Sequence, residues 1–281
     1  MEKMLIVDGS NLLFQMFYGM PARIVNRQGR AVQGVLGFVG ALLKIIRLVQ
    51  PSHIFVAFDA ETDNPRRALD AGYKANRPDY SQMPEEDTPF SQLPDICDAL
   101  DVLKIRHAET VNCEADDWMA FAAREYGREA QVVICSQDSD LWQLIGPKVT
   151  VLRYRGKQTV LCDEAWLEAR LGIRPEQYAA FKSLTGDTSD NIPGVPGIGP
   201  KTAAALLRQF GTLEQLLADR QEIAKPSIRR AVDVHSDRIL KNYALIRLDG
   251  AQPLPVPREE LAWHDPGLTT RQVLERTGTL S

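Results

Sequence analysis

Four short apolar runs rich in β-branched residues, Met4 to Val7, His53 to Phe58, Gln131 to Cys135 and Val149 to Tyr154, are set apart by longer stretches of helical character. Their lengths suit strands, and the chain between them is long enough for crossovers. The pattern predicts a mainly parallel α/β sheet with flanking helices. Residues 34–49 carry apolar side chains at helical spacing with Lys44 and Arg47 off that face, as a crossover helix requires. The pattern fails over residues 73–95, where Pro78, Pro84, Pro89 and Pro94 interrupt a stretch containing Asp79, Glu85, Glu86 and Asp87. A long loop or mobile arch is predicted there. Beyond about residue 165 strand signals fade, and Gly194-Val195-Pro196-Gly197-Ile198-Gly199-Pro200 precedes a helical run from Lys201 to Phe210. The reading is an α/β core over 1–175 and a mostly helical region over 176–281, with a hairpin element at about 183–210. The tail after Gly250 is rich in proline and predicts no clear element.

Composition narrows the class. Over 281 residues, 44% hydrophobic and 25% charged content is that of a globular protein, neither disordered nor fibrous. Lys plus Arg number 33 against 37 acidic residues, and the net charge of −4 excludes a polybasic coat for nucleic acid or membrane. Cys97, Cys113, Cys135 and Cys162 lie far apart with no paired spacing, which argues against a disulfide framework and a zinc site. Asp8 stops the N-terminal apolar run, and Lys44 and Arg47 interrupt the longest later one. Neither a secretion signal nor a membrane span is expected, so the reading is a cytoplasmic, monomeric protein.

Acidic residues stand where the predicted strands end. Asp8 closes the first and Asp59 the second, and Asp138 and Asp140 follow the third. In a parallel sheet these ends open on one crevice. Glu114, Asp116 and Asp117 begin a helix, and Asp187 and Asp190 occupy Gly186-Asp187-Thr188-Ser189-Asp190. Taken singly, each suits a turn or a cap. Gathered together, nine carboxylates repel unless cations intervene, and oxygen-only donors favour Mg²⁺ or Mn²⁺ over zinc. Setting those nine aside turns the net charge of −4 into +5 for the remainder, which suits a polyanionic substrate. Metal-assisted phosphodiester hydrolysis is the leading chemistry.

The motifs resemble those of the 5′ nucleases: the 5′→3′ exonuclease domain of bacterial DNA polymerase I, stand-alone bacterial and phage exonucleases, and flap endonucleases. The resemblance runs from Val7-Asp8-Gly9-Ser10-Asn11 to about Leu217, through Phe58-Asp59-Ala60, Gly72-Tyr73-Lys74-Ala75-Asn76-Arg77, Glu114-Ala115-Asp116-Asp117, Gln137-Asp138-Ser139-Asp140 and the segment from Gly186 to Gly194. It implies a stand-alone, divalent-metal 5′ nuclease acting on DNA with 5′ ends or flaps. Asp8, Asp59, Glu114 and Asp116 are implied mainly for one metal position, Asp138, Asp140, Asp187 and Asp190 mainly for the other, with Asp117 in support. Lys74 and Arg77 match a basic pair at the foot of the arch, and Tyr73 matches an aromatic that stacks on the terminal base. Gly194, Gly197, Gly199 and Lys201 match the DNA-binding hairpin of a helix-three-turn-helix element, and Ile192, Val195 and Ile198 its potassium ligands. Two departures stand out: Gln15 where many relatives carry Arg, and Ser139 where Lys is common. The competing readings are a PIN-type endoribonuclease, which lacks the hairpin, a haloacid-dehalogenase-like phosphatase, which would need Asp-x-Asp at the first strand, and a catalytically weak DNA-structure-binding module.

Overall fold

Alternation along the strands decides the layering. On β1 (Lys3–Asp8), Met4 and Ile6 enter one hydrophobic cluster while Leu5 and Val7 enter another on the opposite face. On β2 (His53–Phe58), Phe55 and Ala57 follow the first cluster, and Ile54, Val56 and Phe58 the second. A strand buried on both faces belongs in the middle of a sheet covered twice by helices. The structure, a computed structural model, describes residues 2–20, 22–60, 65–78, 80 and 83–280.

With β3 (Arg106–Glu109), β4 (Gln131–Cys135), β5 (Val149–Arg153) and β6 (Val160–Cys162), these strands form a six-stranded sheet in the order β3-β2-β1-β4-β5-β6. All neighbours are parallel except β5 and β6. The register places Asp8 beside Ala57 and Val7 beside Cys135, so the first three acidic segments leave the sheet at neighbouring points. Strands β7 (Gly186–Asp187) and β8 (Ile192–Pro193) make a separate antiparallel pair.

The helices are α1 (Gly9–Gly19), α2 (Gln33–Val49), α3 (Pro65–Leu69), α4 (Leu93–Val102), α5 (Ala115–Tyr126), α6 (Glu164–Leu171), α7 (Tyr178–Thr185), α8 (Pro200–Phe210), α9 (Leu213–Ala218), α10 (Pro226–Val234), α11 (Ser236–Ile246) and α12 (Thr270–Arg276). Residues of α1, α2, α4 and α12 build the cluster on one face. The opposite cluster runs without interruption from Met4 and Ile134 through Trp142 and Phe181 to Leu207 and Phe210. The α/β core and the helical region therefore share one hydrophobic interior across residue 175.

Two segments differ from their sequence pattern. The arch is pinned at its base: Phe14 of α1, Tyr80 and Phe90 pack edge to face with centroids 5.5–5.6 Å apart, and the Gln92 side chain accepts from Val35 N at 3.0 Å. Asp79, one of its acidic residues, lies outside the described residues. The proline-rich tail forms a strap. Arg258 pairs with Glu2 and Glu129, Trp263 Nε1 donates to Leu103 O at 2.9 Å, and Val273 and Leu274 are buried. Among the described residues no helix is long and apolar enough to cross a membrane.

Candidate active site

Strand ends and helix starts meet at one crevice of about 850 Å³, within the usual size of a ligand site. Asp8, Asp59, Glu114, Asp116 and Asp138 line it, with Lys74 and Arg77 on the arch side. Asp8 caps α1 by accepting from Asn11 N at 2.9 Å, and Ser136 Oγ donates to its other oxygen at 2.7 Å. Asp59 accepts from Ala115 N at 2.8 Å, which ties the end of β2 to the start of α5. Asp138 accepts from Asp140 N at 2.8 Å, which fixes the turn between the two acids.

Asp140 meets Asp187 and Asp190 instead: one carboxylate oxygen from each lies within 4.8 Å of the others. All three residues are buried, and Asp140 Oδ1 has no hydrogen-bond partner. An orphaned buried oxygen in a wholly oxygen donor set fits a hard divalent cation. Lys182 of α7 stands between Asp140, at 3.8 Å, and Asp187.

The electrostatics divide the acids into two kinds. Burial pushes the Asp8 carboxyl up to about 7, with neighbouring Asp59 adding to the effect. Burial likewise raises Asp59 and Asp138, and lifts Asp116 and Asp140 well above the usual carboxylate range. Burial also opposes ionisation of Glu114, but Lys74 and Arg66 outweigh it and hold that carboxyl below its ordinary value. At Asp187 the same opposition is overcome by Lys182 and Ser189. Crowded, buried carboxylates repel one another when ionised, and a divalent cation relieves that repulsion as it displaces the protons that raise their pKa values.

Sequence reasoning missed two cations, Arg66 and Lys182. Arg66 contacts Glu114, Asp116 at 3.5 Å and Asp117 at 2.5 Å. Nothing in its local sequence marks it. Lys182 leaves a trace, as the lone charge within the otherwise uncharged helix Tyr178–Thr185. Asp117 also closes a capping box on α5 by accepting from Glu114 N at 3.0 Å, so its place is between helix cap and ion pair.

Lys74 pairs with Glu114 and takes a left-handed backbone, φ 55°, its N–H donating to Asp190 O at 3.0 Å. Arg77 pairs with Asp190 at 3.0 Å while its side chain stays half-exposed. A non-glycine residue in that backbone region marks a place where the surroundings override local preference. The expectation for Tyr73 is corrected: it is 4% exposed, packs with Ala179, Ile192 and Leu245, and donates to Glu114 Oε2 at 3.1 Å. A ring enclosed on that scale has no face to offer a base. Phe14, Tyr80 and Phe90 are the aromatics that line the crevice.

Gln15, the departure on α1, donates to Tyr154 O at 2.8 Å and so ties α1 to the end of β5. Ser139 forms part of the turn, its carbonyl accepting from Trp142 N at 3.0 Å. In the hairpin, Gly197 has φ 82°, Gly199 precedes Pro200 at the start of α8, and Lys201 is exposed. Ile192, Val195 and Ile198 bury their side chains, and Val195 O accepts from Ile198 N at 3.0 Å. Asn242 of α11 donates to Ser183 O at 3.1 Å and Pro193 O at 2.9 Å, fastening the hairpin to α7.

Two family models match consecutive parts of the chain: the 5′-3′ exonuclease N-terminal resolvase-like domain over residues 3–172 and the 5′-3′ exonuclease C-terminal SAM fold over 173–268. The thermostable DNA polymerase I of Thermus aquaticus is 37% identical over 255 residues, 90% of this chain and 29% of that protein. DNA polymerase I of Bacillus caldotenax is 37% identical over 268 residues, 93% of this chain and 30% of that protein. The chain thus spans under a third of the length of these relatives. Among solved structures, a bacteriophage T5 flap endonuclease in a pseudo-enzyme-product complex with DNA and metal ions superposes with a TM-score of 0.74 at 20% identity, covering 99% of this chain and 100% of that one.

Proposed function

The chain belongs to the 5′-3′ exonuclease family, and from that premise we propose that it hydrolyses DNA phosphodiester bonds at 5′ ends and flaps with divalent metal. The observation that carries this reading is the convergence of Asp8, Asp59, Glu114, Asp116 and Asp138 on one crevice whose arch side carries Lys74 and Arg77. In this reading those acids, with Asp140, Asp187 and Asp190, would hold Mg²⁺ or Mn²⁺, which when bound would supply water activation and charge neutralisation for phosphodiester hydrolysis. Ser136 and the Asn11, Ala115 and Asp140 amides orient three of the carboxylates through the hydrogen bonds described above.

Lys74 has two tasks. Paired with Glu114 it neutralises a buried acid, and swung toward the crevice it meets the charge that develops on the scissile phosphate. Arg77, half-exposed, reaches the same phosphate from the rim. The hairpin from Gly194 to Lys201 meets the duplex backbone through its amides and Lys201, and the carbonyls of Ile192, Val195 and Ile198 are its candidate K⁺ ligands. The chain acts as a monomer in the cytoplasm in this reading.

EDTA is expected to abolish cleavage of a labelled 5′-flap duplex, and Mg²⁺ or Mn²⁺ to restore it. Metal-independent cleavage at the wild-type rate would overturn the reading. Lys74→Ala and Arg77→Ala are each expected to lower the single-turnover rate about 10²-fold while weakening affinity far less. Variants that lose affinity alone would make both residues simple phosphate anchors.

A further inference from the structure

The end of β5 and helix α6 carry cations that no carboxylate matches. Among the described residues Arg153, Arg155, Lys157 and Arg170 form no ion pair, and their visible partners are rings and one amide. Arg153 lies over the Trp142 ring at 5.5 Å and Arg170 over the Trp166 ring at 5.4 Å. The two rings meet edge to face with centroids 4.9 Å apart, so the tryptophan pair holds two guanidinium groups in fixed places. Arg153 Nε is buried without a hydrogen-bond partner.

Acids are close by but engaged elsewhere or solvated. Asp163 accepts from Trp166 N at 2.8 Å as the cap of α6, while Glu164 and Glu168 of the same helix are exposed and pair with none of these cations. Burial, and next the Arg155 and Arg170 charges, depress the Arg153 pKa, so the group repels itself. Like charges kept together without counter-charges suit a polyanion that is absent from the free protein.

The cations also connect to the crevice. Arg155 Nε donates to Gln137 Oε1 at 2.8 Å, and Gln137 N donates to Asn11 Oδ1 at 3.0 Å, with Asn11 lining the crevice. At the other end, just after α6, the Arg208 guanidinium of α8 lies 3.0 Å from where a Cβ on Gly172 would stand.

We propose that Arg153 and Arg170, held over the Trp142 and Trp166 rings, together with Arg155, held by Gln137, form a track for the phosphodiester backbone of bound DNA, running from the crevice toward α8. The choice of occupant rests on the nuclease reading above. The track places cations beyond the end of β5, next to Tyr154, whose carbonyl Gln15 of α1 holds.

The test is the double variant Arg155→Gln with Arg170→Gln, both exposed residues whose replacement leaves the core intact. Affinity is measured in EDTA across a range of KCl concentrations for a 5′-flap duplex, a blunt duplex and a single strand. Loss of two phosphate contacts to duplex is expected to make the slope of log affinity against log salt shallower by about 1.8, for the flap and blunt duplexes together. A track that holds the single strand gives about 1.4 instead, for the flap and the single strand. The Arg155→Lys, Arg170→Lys pair restores most of the slope, because the slope counts charges. A folded double variant with the wild-type slope on all three DNAs overturns the track. Wild-type protein that binds none of the three in EDTA and cleaves none of them once Mg²⁺ is supplied overturns the nuclease reading itself.

Discussion

Asp8→Asn is expected to stabilise the metal-free chain while lowering DNA cleavage by about 10²-fold or more. The folded-state pKa of Asp8 is raised from 3.8 to about 7 by burial and by Asp59. A carboxyl that ionises less readily when folded removes stability as pH rises from the unfolded value through the folded one, and the loss is complete above about 7. Asparagine carries no charge and can keep the cap on α1, since its side-chain oxygen still accepts from Asn11 N. The gain should therefore be small near pH 4 and level off above pH 7 at about 1–3 kcal/mol, allowing for partial solvent access. Thermal unfolding in EDTA at both pH values measures it, and added Mg²⁺ should narrow the difference by stabilising the wild type more. Equal stability of the two proteins at high pH would mean that Ser136 and the Asn11 amide already satisfy the charge. Cleavage near the wild-type rate would remove Asp8 from the metal-binding set.

That opposition between stability and chemistry explains which parts of the site were legible in the sequence. Acids at strand ends can be read without a structure, because a parallel sheet delivers the C-terminal ends of its strands to one edge. Strands β1, β2, β4 and β5 announce themselves as apolar runs, and with them Asp8, Asp59, Asp138 and Asp140. Strand β3, Arg-His-Ala-Glu, has no apolar run and forms only because Phe55 to Phe58 offer it a register. Strand β6 is a three-residue edge with Val160 and Leu161 exposed. The compensating cations are harder to see. Arg66 acquires meaning only from Glu114 and Asp117, far along the chain, and Lys182 only from the fold that brings α7 beside Asp140. Tyr73 misleads for the same reason: Ala71, Gly72, Lys74 and Ala75 around it form no apolar pattern, but α7 and α11 close over the ring. Proline spacing suggested a mobile arch, whereas the ring contacts of Phe14, Tyr80 and Phe90 hold its foot against α1.

The hairpin offers the sharpest contrast between two glycines that look alike in sequence. Gly194→Ala is expected to destabilise the fold by about 3 kcal/mol or more and to weaken duplex binding at least tenfold, because its added Cβ would stand 2.3 Å from Thr185 O and 2.8 Å from Gly186 N. Both neighbours are backbone, so no rotamer relieves the clash. The reciprocal approach is as close, with a Cβ on Gly186 2.4 Å from Gly194 N. Relief requires opening the β7–β8 pair, whose two rungs join Gly186 to Pro193 and Asp187 to Ile192. Asp187 belongs to that pair, so the same opening displaces a carboxylate from Asp140 and Asp190, and the cleavage rate should fall together with affinity. Gly197→Ala is the control: its φ of 82° costs about 1–2 kcal/mol in strain, but nothing lies within 4 Å of the new Cβ. It should weaken duplex binding and leave the single-turnover rate at saturation near normal. Melting temperature, duplex affinity and single-turnover rate for the two variants decide the matter. A Gly194→Ala protein that loses affinity but keeps its rate would show that the hairpin moves independently of Asp187, and that the β7–β8 pair does not carry strain between the proposed DNA-binding hairpin and the proposed metal-binding acids.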